Sequence, residues 1–254
     1  MKKVITIMLV MLLNSSLFGQ ISAGDNANVE PRWVIDTPTA GLLKRGSFGM
    51  DIDMFQQGGL MIALSAGALD RLNFGISYGG TGIIGSDQVN WQRLPGVMIK
   101  FRLFDETVAM PAIALGFDSQ GKESYIDSTN RFTIKSRGIY AVASKNYSLF
   151  GNLSLHGGVN LSMERDDGNK NPDVFVGAEK SFGSDISFLC EYDFGFNDTG
   201  ARAVGKGKGY LNAGIRWSWG NGFTLGFDLK NLAKNQDIVT IGNRTLKVEY
   251  VRTL

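Results

Sequence analysis

Between Ile186 and Phe196 the chain reads I-S-F-L-C-E-Y-D-F-G-F. Ile186, Phe188, Cys190, Tyr192, Phe194 and Phe196 fall on one face of an extended strand, and Ser187, Leu189, Glu191, Asp193 and Gly195 fall on the other. One face is oily and the other is mostly wet. Copies of this two-residue period recur from Ser47 to the C-terminus, and their wet faces carry ions. A packed sandwich core would bury those ions without partners, at prohibitive cost. The pattern therefore demands a water-filled side and an apolar side, with the apolar side turned toward lipid.

About twelve such strands can be read. The first sets Phe48, Met50, Ile52 and Met54 against Ser47, Gly49, Asp51 and Asp53, and the second shows Leu60, Ile62 and Leu64. The third alternates Leu72, Phe74, Ile76 and Tyr78 with Asn73, Gly75, Ser77 and Gly79, and the fourth Val97, Ile99, Phe101 and Leu103 with Met98, Lys100 and Arg102. A fifth, near Ala109 to Phe117, contains Pro111, which cannot donate to a ladder, so a bulge or a start after Pro111 is expected. Further strands are read at Gly138 to Tyr147, around Leu153 to Ser162, around Val174 to Ala178, at Ile186 to Phe196, around Tyr210 to Trp217, at Phe223 to Lys230 and around Leu246 to Tyr250. The inward candidates are Asp51, Asp53, Lys100, Arg102, His156, Glu179, Glu191, Asp193, Arg216, Asp228, Lys230, Lys247 and Glu249. Acids at Asp51, Asp53, Glu191 and Asp193 opposite bases at Lys100, Arg102 and Arg216 suggest a transverse field across the lumen.

The connections alternate in length. Tight turns are expected at Ala68–Arg71, Phe104–Thr107, Ser148–Gly151, Gly183–Asp185 and Gly220–Gly222, and long polar loops at Gly80–Leu94, Asp118–Ser136, Met163–Asn171, Asn197–Lys208 and Asn231–Asn243. Only Gln56–Gly59 breaks the rule. Short turns at one end and long loops at the other describe a closed antiparallel up-and-down transmembrane β-barrel, with its turns in the periplasm and its loops outside the cell. Phe104, Phe150, Phe182, Trp219 and Phe223 all border the tight turns, where an interfacial aromatic girdle belongs.

Lys2 and Lys3, the apolar run Val4–Leu13 and the small polar stretch Asn14–Gly19 read as a signal peptide over residues 1–19. Residues 20–45 follow as a periplasmic or lumenal arm, and the barrel occupies 46–254. Formal charge is +2 and falls to 0 without Lys2 and Lys3, with signs interspersed, so nucleic acid is not an expected partner. The lone Cys190 excludes an intramolecular disulfide.

The plan from Gly46 to Leu254 resembles small outer-membrane β-barrels of Gram-negative bacteria. Asp36-Thr37-Pro38-Thr39-Ala40-Gly41-Leu42-Leu43, followed by Gly46, is similar to the opening motif of exopolysaccharide-associated outer-membrane proteins of the YjbH type. Leu246, Val248, Tyr250 and Leu254 resemble the assembly signal of such barrels. These resemblances imply export to the outer membrane, contact with its lipid and lipopolysaccharide, delivery by the barrel assembly machinery and an association with envelope polysaccharide.

Several enzyme signatures dissolve in context. Gly75-Ile76-Ser77-Tyr78-Gly79 fits G-x-S-x-G but lies within a strand rather than on a strand-to-helix elbow. Gly80–Gly85 fits G-x-G-x-x-G without a helix to follow, and Asp166–Asn171 hints at a calcium loop but has Pro172 where glycine is required. Ser154, His156 and Asn160 share one face, a set similar to the Ser, His and Asn of outer-membrane phospholipase A, a barrel of about this size; here the Ser precedes the His and the face is the lumen, which favours a hydrogen-bonding histidine. No catalytic group, metal or cofactor is expected. The function expected is a non-enzymatic narrow channel or transport component for small polar solutes or envelope glycans. One alternative is a structural or surface-interaction barrel whose loop cations Arg202, Lys206 and Lys208 contact lipopolysaccharide, and a second is an outer-membrane lipid hydrolase centred on His156.

Overall fold

The computed structural model describes residues 30–236 and 243–253, so the expected signal peptide, the first part of the arm, much of the expected loop Asn231–Asn243 and Leu254 lie outside the described residues. Twelve long strands build a closed antiparallel barrel: β1 Ser47–Phe55, β2 Gly59–Leu69, β3 Leu72–Thr81, β4 Gly96–Phe104, β5 Ala112–Asp118, β6 Gly138–Ser148, β7 Asn152–Leu161, β8 Asp173–Phe182, β9 Ile186–Asp193, β10 Tyr210–Gly220, β11 Phe223–Lys230 and β12 Asn243–Thr253. Each pairs with the next in sequence, and β12 closes on β1 from Ser47 opposite Thr253 to Met54 opposite Leu246. Closure leaves no edge, so every strand has a partner on both sides.

The two-residue period is carried into three dimensions. In β9, Ile186, Phe188 and Cys190 are exposed outward while Ser187, Leu189, Glu191 and Asp193 are buried inward. In β10, Ile215, Trp217 and Trp219 are exposed, and Asn212, Arg216 and Ser218 are buried. The outer wall is thus apolar around its circumference, the surface a barrel needs in hydrocarbon and one that water would penalise. Phe104, Phe182 and Trp219 are more than half exposed at the tight-turn end, Phe150 is 98% exposed, and Trp219 stacks on Phe223. At the other end Tyr78 stacks on Trp91.

The structure departs from the sequence reading at four places. β5 begins at Ala112, directly after Pro111, as expected, but the connection from β4 is longer than the tight turn expected at Phe104–Thr107. β9 ends at Asp193, because Gly195 takes a left-handed conformation (φ +65) that breaks the ladder before Phe196. The loop after β3 contains a two-residue strand, Asn90–Trp91, paired with β3. The loop after β5 is an ordered hairpin, Lys122–Ile126 with Arg131–Ile134.

Candidate functional site: a lumen filled by the N-terminal arm

All thirteen lumen candidates lie on the inward set of their strands. Asp51, Lys100, His156, Glu179, Glu191, Asp193, Arg216, Asp228, Lys230 and Lys247 are buried, and Asp53, Arg102 and Glu249 are half-buried. They are covered by the protein itself. Residues 31–43 are almost all buried, because the arm folds as a narrow hairpin inside the barrel, with Trp33 bridged to Pro38, Val34 N donating to Thr37 O (2.9 Å) and Thr39 N to Arg32 O (3.2 Å). Gly41 is required on its returning limb, since a Cβ there would collide with the Pro31 carbonyl.

The arm enters and leaves by the tight-turn end. There Arg102, near the end of β4, donates to Ala40 O and pairs with Glu30, and Gly46 N donates to Gly67 O before β1 begins. Its tip reaches up the barrel to Glu191. One carboxylate accepts from Ile35 N (3.0 Å), Asp36 N (2.9 and 3.0 Å), Thr37 N (2.9 Å) and Thr37 Oγ1 (2.7 Å), and also from Asn212 Nδ2 (2.8 Å). Three successive amides converging on an anion form a backbone nest turned onto a wall residue. Lys230 Nζ grips Asp36 Oδ1 at 2.7 Å, and Arg137 donates to Asp36 O while pairing with Asp193.

The remaining cations are spent the same way. Lys100 Nζ donates to the carbonyls of Arg32 (2.9 Å), Thr39 (3.0 Å) and Gly41 (3.3 Å). Arg32, carried on the arm, reaches Ser65 Oγ (2.5 Å), Asp51 (3.0 Å) and Glu249 (2.5 Å). Arg216 binds Asp228 with both nitrogens (2.5 and 3.1 Å) and touches Val34 O (3.3 Å). The bases of the transverse field inferred from sequence are all engaged here: Lys100 by arm carbonyls, Arg102 by Glu30 and Ala40 O, and Arg216 by Asp228. Asp118, Asp173 and Arg137 also face the lumen and were missed; Asp118 and Asp173 sit on the inward period of β5 and β8, one residue beyond where alternation of large apolar groups stops.

From the loop end the hairpin 122–134 descends to meet the arm. Lys122 Nζ lies 4.8 Å from the Trp33 ring centre, with Lys100 Nζ 5.5 Å from the same ring, and is 4.0 Å from Asp53. Beside it the Glu123 carboxylate accepts from Asn243 Nδ2. Burial pushes the Glu123 carboxyl up from 4.5 to about 7, with Asp36 adding to the rise while Lys230 and the Asn243 hydrogen bond oppose it. A carboxyl whose value is raised in the docked state holds its proton there when the undocked state has lost it. Docking is thus strongest below the ordinary value and weakens as pH climbs through the window from 4.5 to about 7. Protease cleavage within the hairpin is expected to be faster at about pH 8 than at about pH 5, and Glu123→Gln should abolish that difference.

The hydrolase constellation does not assemble. Ser154 Oγ donates to Asn146 rather than to His156, whose Nδ1 instead meets Ser144 Oγ at 2.8 Å beneath Ala40 N. Asp167, from the calcium-like stretch, is spent on Arg131 (2.8 Å) and Lys135 (2.7 Å). Arg202, Lys206 and Lys208 are exposed on the loop between β9 and β10.

No protein-family model matches the chain, and no curated protein sequence matches it. Among solved structures, the KdgM porin aligns with a TM-score of 0.53 at 13% identity, covering 80% of this chain and 98% of that one. The likeness is one of fold. A KdgM porin in complex with disordered oligogalacturonate gives a TM-score of 0.54 at 12% identity with the same coverage. The translocator domain of the autotransporter NalP from Neisseria meningitidis gives 0.38 at 11% identity, covering 82% and 86%.

Proposed function

We propose that the chain is a non-enzymatic outer-membrane barrel whose lumen is a narrow passage for small polar solutes or glycans, held shut by its own N-terminal arm. The observation that carries this reading is the contrast between wall and filling. A polar, ion-lined lumen runs the length of an apolar-coated barrel, and its occupant is a peripheral segment entering and leaving by one end, fastened by hydrogen bonds and ion pairs rather than by a large apolar core. Such contacts exchange readily for water or for a hydroxylated solute. The porin likeness supports a passage, and the oligogalacturonate of the KdgM complex supports carbohydrate as a solute class. The apolar outer belt and aromatic ends support an outer-membrane location in a Gram-negative cell, and delivery by the barrel assembly machinery is part of this proposal.

A second reading is favoured by the loops. Arg131, Asp167 and Asp198 lock three of them into one ordered cap, on which Arg202, Lys206 and Lys208 are offered to anionic lipopolysaccharide. Planar-bilayer recording separates the two. A passage conducts once the arm is freed and falls silent when the arm is tethered, whereas a surface barrel shows neither response.

A further inference from the structure

The wall beneath the arm is built differently from the rest of the lumen. Ala112, Ala114, Tyr140, Val142 and Phe175 form an apolar patch on β5, β6 and β8, covered by Ala40 of the arm. Its two rings lie along the sheet instead of standing into the lumen, because the wall beside each is glycine: a Cβ on Gly116 would run into the Tyr140 ring, and one on Gly158 into the Phe175 ring. Around this flat surface are buried polar atoms that have no partner among the described residues: the Tyr140 hydroxyl, His156 Nε2, and both amide atoms of Asn160. Asn160 is the cross-strand neighbour of Tyr140, and Gly158, against which Phe175 lies, is two residues along β7 from both Asn160 and His156. Unsatisfied buried donors and acceptors are costly, and natural interiors avoid them unless something else supplies the partner.

We propose that, once the arm withdraws, this wall is a binding subsite for a neutral sugar unit, with its C–H face against Phe175 and Tyr140 and its hydroxyls on Asn160, His156 Nε2 and the Tyr140 hydroxyl. An apolar floor with a few convergent polar groups is the usual construction of a small-molecule site. Neutrality follows from the lumen's charges. The thirteen inward residues include seven carboxylates against five cations; Asp118, Asp173 and Glu123 add three acids, while Lys122 and Arg137 add two bases, Arg137 lying 5.5 Å over the Phe175 ring and paired with Asp193. The freed lumen keeps an excess of acid and disfavours a carboxylated chain. The inference rests on the passage reading and deepens it.

The test uses the full-length Glu191→Ala protein in planar bilayers, with a neutral maltooligosaccharide and an oligogalacturonate of equal length as probes. The neutral sugar is expected to interrupt the current in resolved blocks that the carboxylated sugar does not produce. Phe175→Leu, which stays apolar but loses the ring, should shorten the blocks by about tenfold, and Phe175→Tyr, which keeps the ring, should retain them. Asn160→Ala, on the polar side of the wall, is the second variant, read the same way, with circular dichroism confirming an intact barrel. Equal blocking by both sugars, blocking by the acidic one alone, or blocks unaltered in both Phe175→Leu and Asn160→Ala would overturn the subsite. Absence of any current in Glu191→Ala would overturn the passage itself, a separate and recognisable failure.

Discussion

Glu191→Ala is expected to turn a silent barrel into a conducting one. The wild-type carboxylate gathers three consecutive arm amides, the Thr37 hydroxyl and the Asn212 amide at 2.7–3.0 Å, and the side chain is 1% exposed. Hydrogen bonds to a charged acceptor each contribute about 1.5–3 kcal/mol, and removing the acceptor leaves buried amides without partners. The losses are not additive, since the bonds share one group and the freed amides regain water as the tip lifts. A net weakening of about 4 kcal/mol is a fair scale, which raises the ratio of released to docked arm by about a thousandfold. Lys230 would lose its geometry with Asp36 at the same time, because the nest fixes the Asp36 backbone. Single-channel recording reads the effect as open probability, and hydrogen exchange at residues 34–37 reads it independently.

Arg131→Ala is expected to dissolve the loop cap while leaving the barrel closed. The guanidinium is 1% exposed and reaches Asp167 (2.8 Å), Asp198 (2.6 Å) and the carbonyls of Phe132 and Thr133 (2.9 Å each). Three loops meet at this one side chain. Asp198 also accepts from the Tyr210 hydroxyl and from Val204 N (3.1 Å). Without Arg131, Asp167 keeps Lys135, but Asp198 becomes a buried carboxylate with no ion-pair partner among the described residues. Breaking one side of a buried ion pair costs about 3–5 kcal/mol. The hydrogen-bonded strand ladder does not depend on this residue, so far-ultraviolet circular dichroism should stay unchanged while the loops at 119–137, 162–172 and 194–209 become open to limited proteolysis. Arg131→Lys should recover only part of the protection, because an ammonium cannot fork between two carboxylates and two carbonyls.

Most of the barrel is legible in the sequence because a lipid-facing strand must alternate: side chains on one face meet hydrocarbon and those on the other meet water, so the pattern in Ile186–Asp193 is a direct image of the wall. Strand ends are less legible. Alternation runs on through Phe194 and Phe196 although the backbone has already turned at Gly195, since a hydrophobic pattern carries no record of φ. Pro111 is the converse, a residue whose backbone chemistry marks the start of β5 more sharply than its neighbours' hydropathy does. The site is harder to read. Glu191 stands out as an inward acid, yet its arm partners lie some 155 residues away, on a segment with no period of its own. Arg32 shows the same difficulty, bridging Asp51 and Glu249 from a segment whose only local signal is its proline and small residues. Lumenal charge is visible along the chain, whereas which charges neutralise each other depends on closure and on where the arm lies.

The most direct measurement tethers the arm. Ala40 N lies 2.8 Å from Ser144 Oγ, so Ala40→Cys and Ser144→Cys put two thiols on contacting residues of arm and wall, and Cys190→Ser removes the native thiol on the outer wall. In the full-length Glu191→Ala protein carrying these substitutions, the oxidised form should pass no current in a planar bilayer, and reduction should restore the conductance of Glu191→Ala alone. Equal conductance before and after reduction, with the disulfide verified, would contradict the account, because it would mean that ions cross without displacing the arm or do not cross the lumen at all.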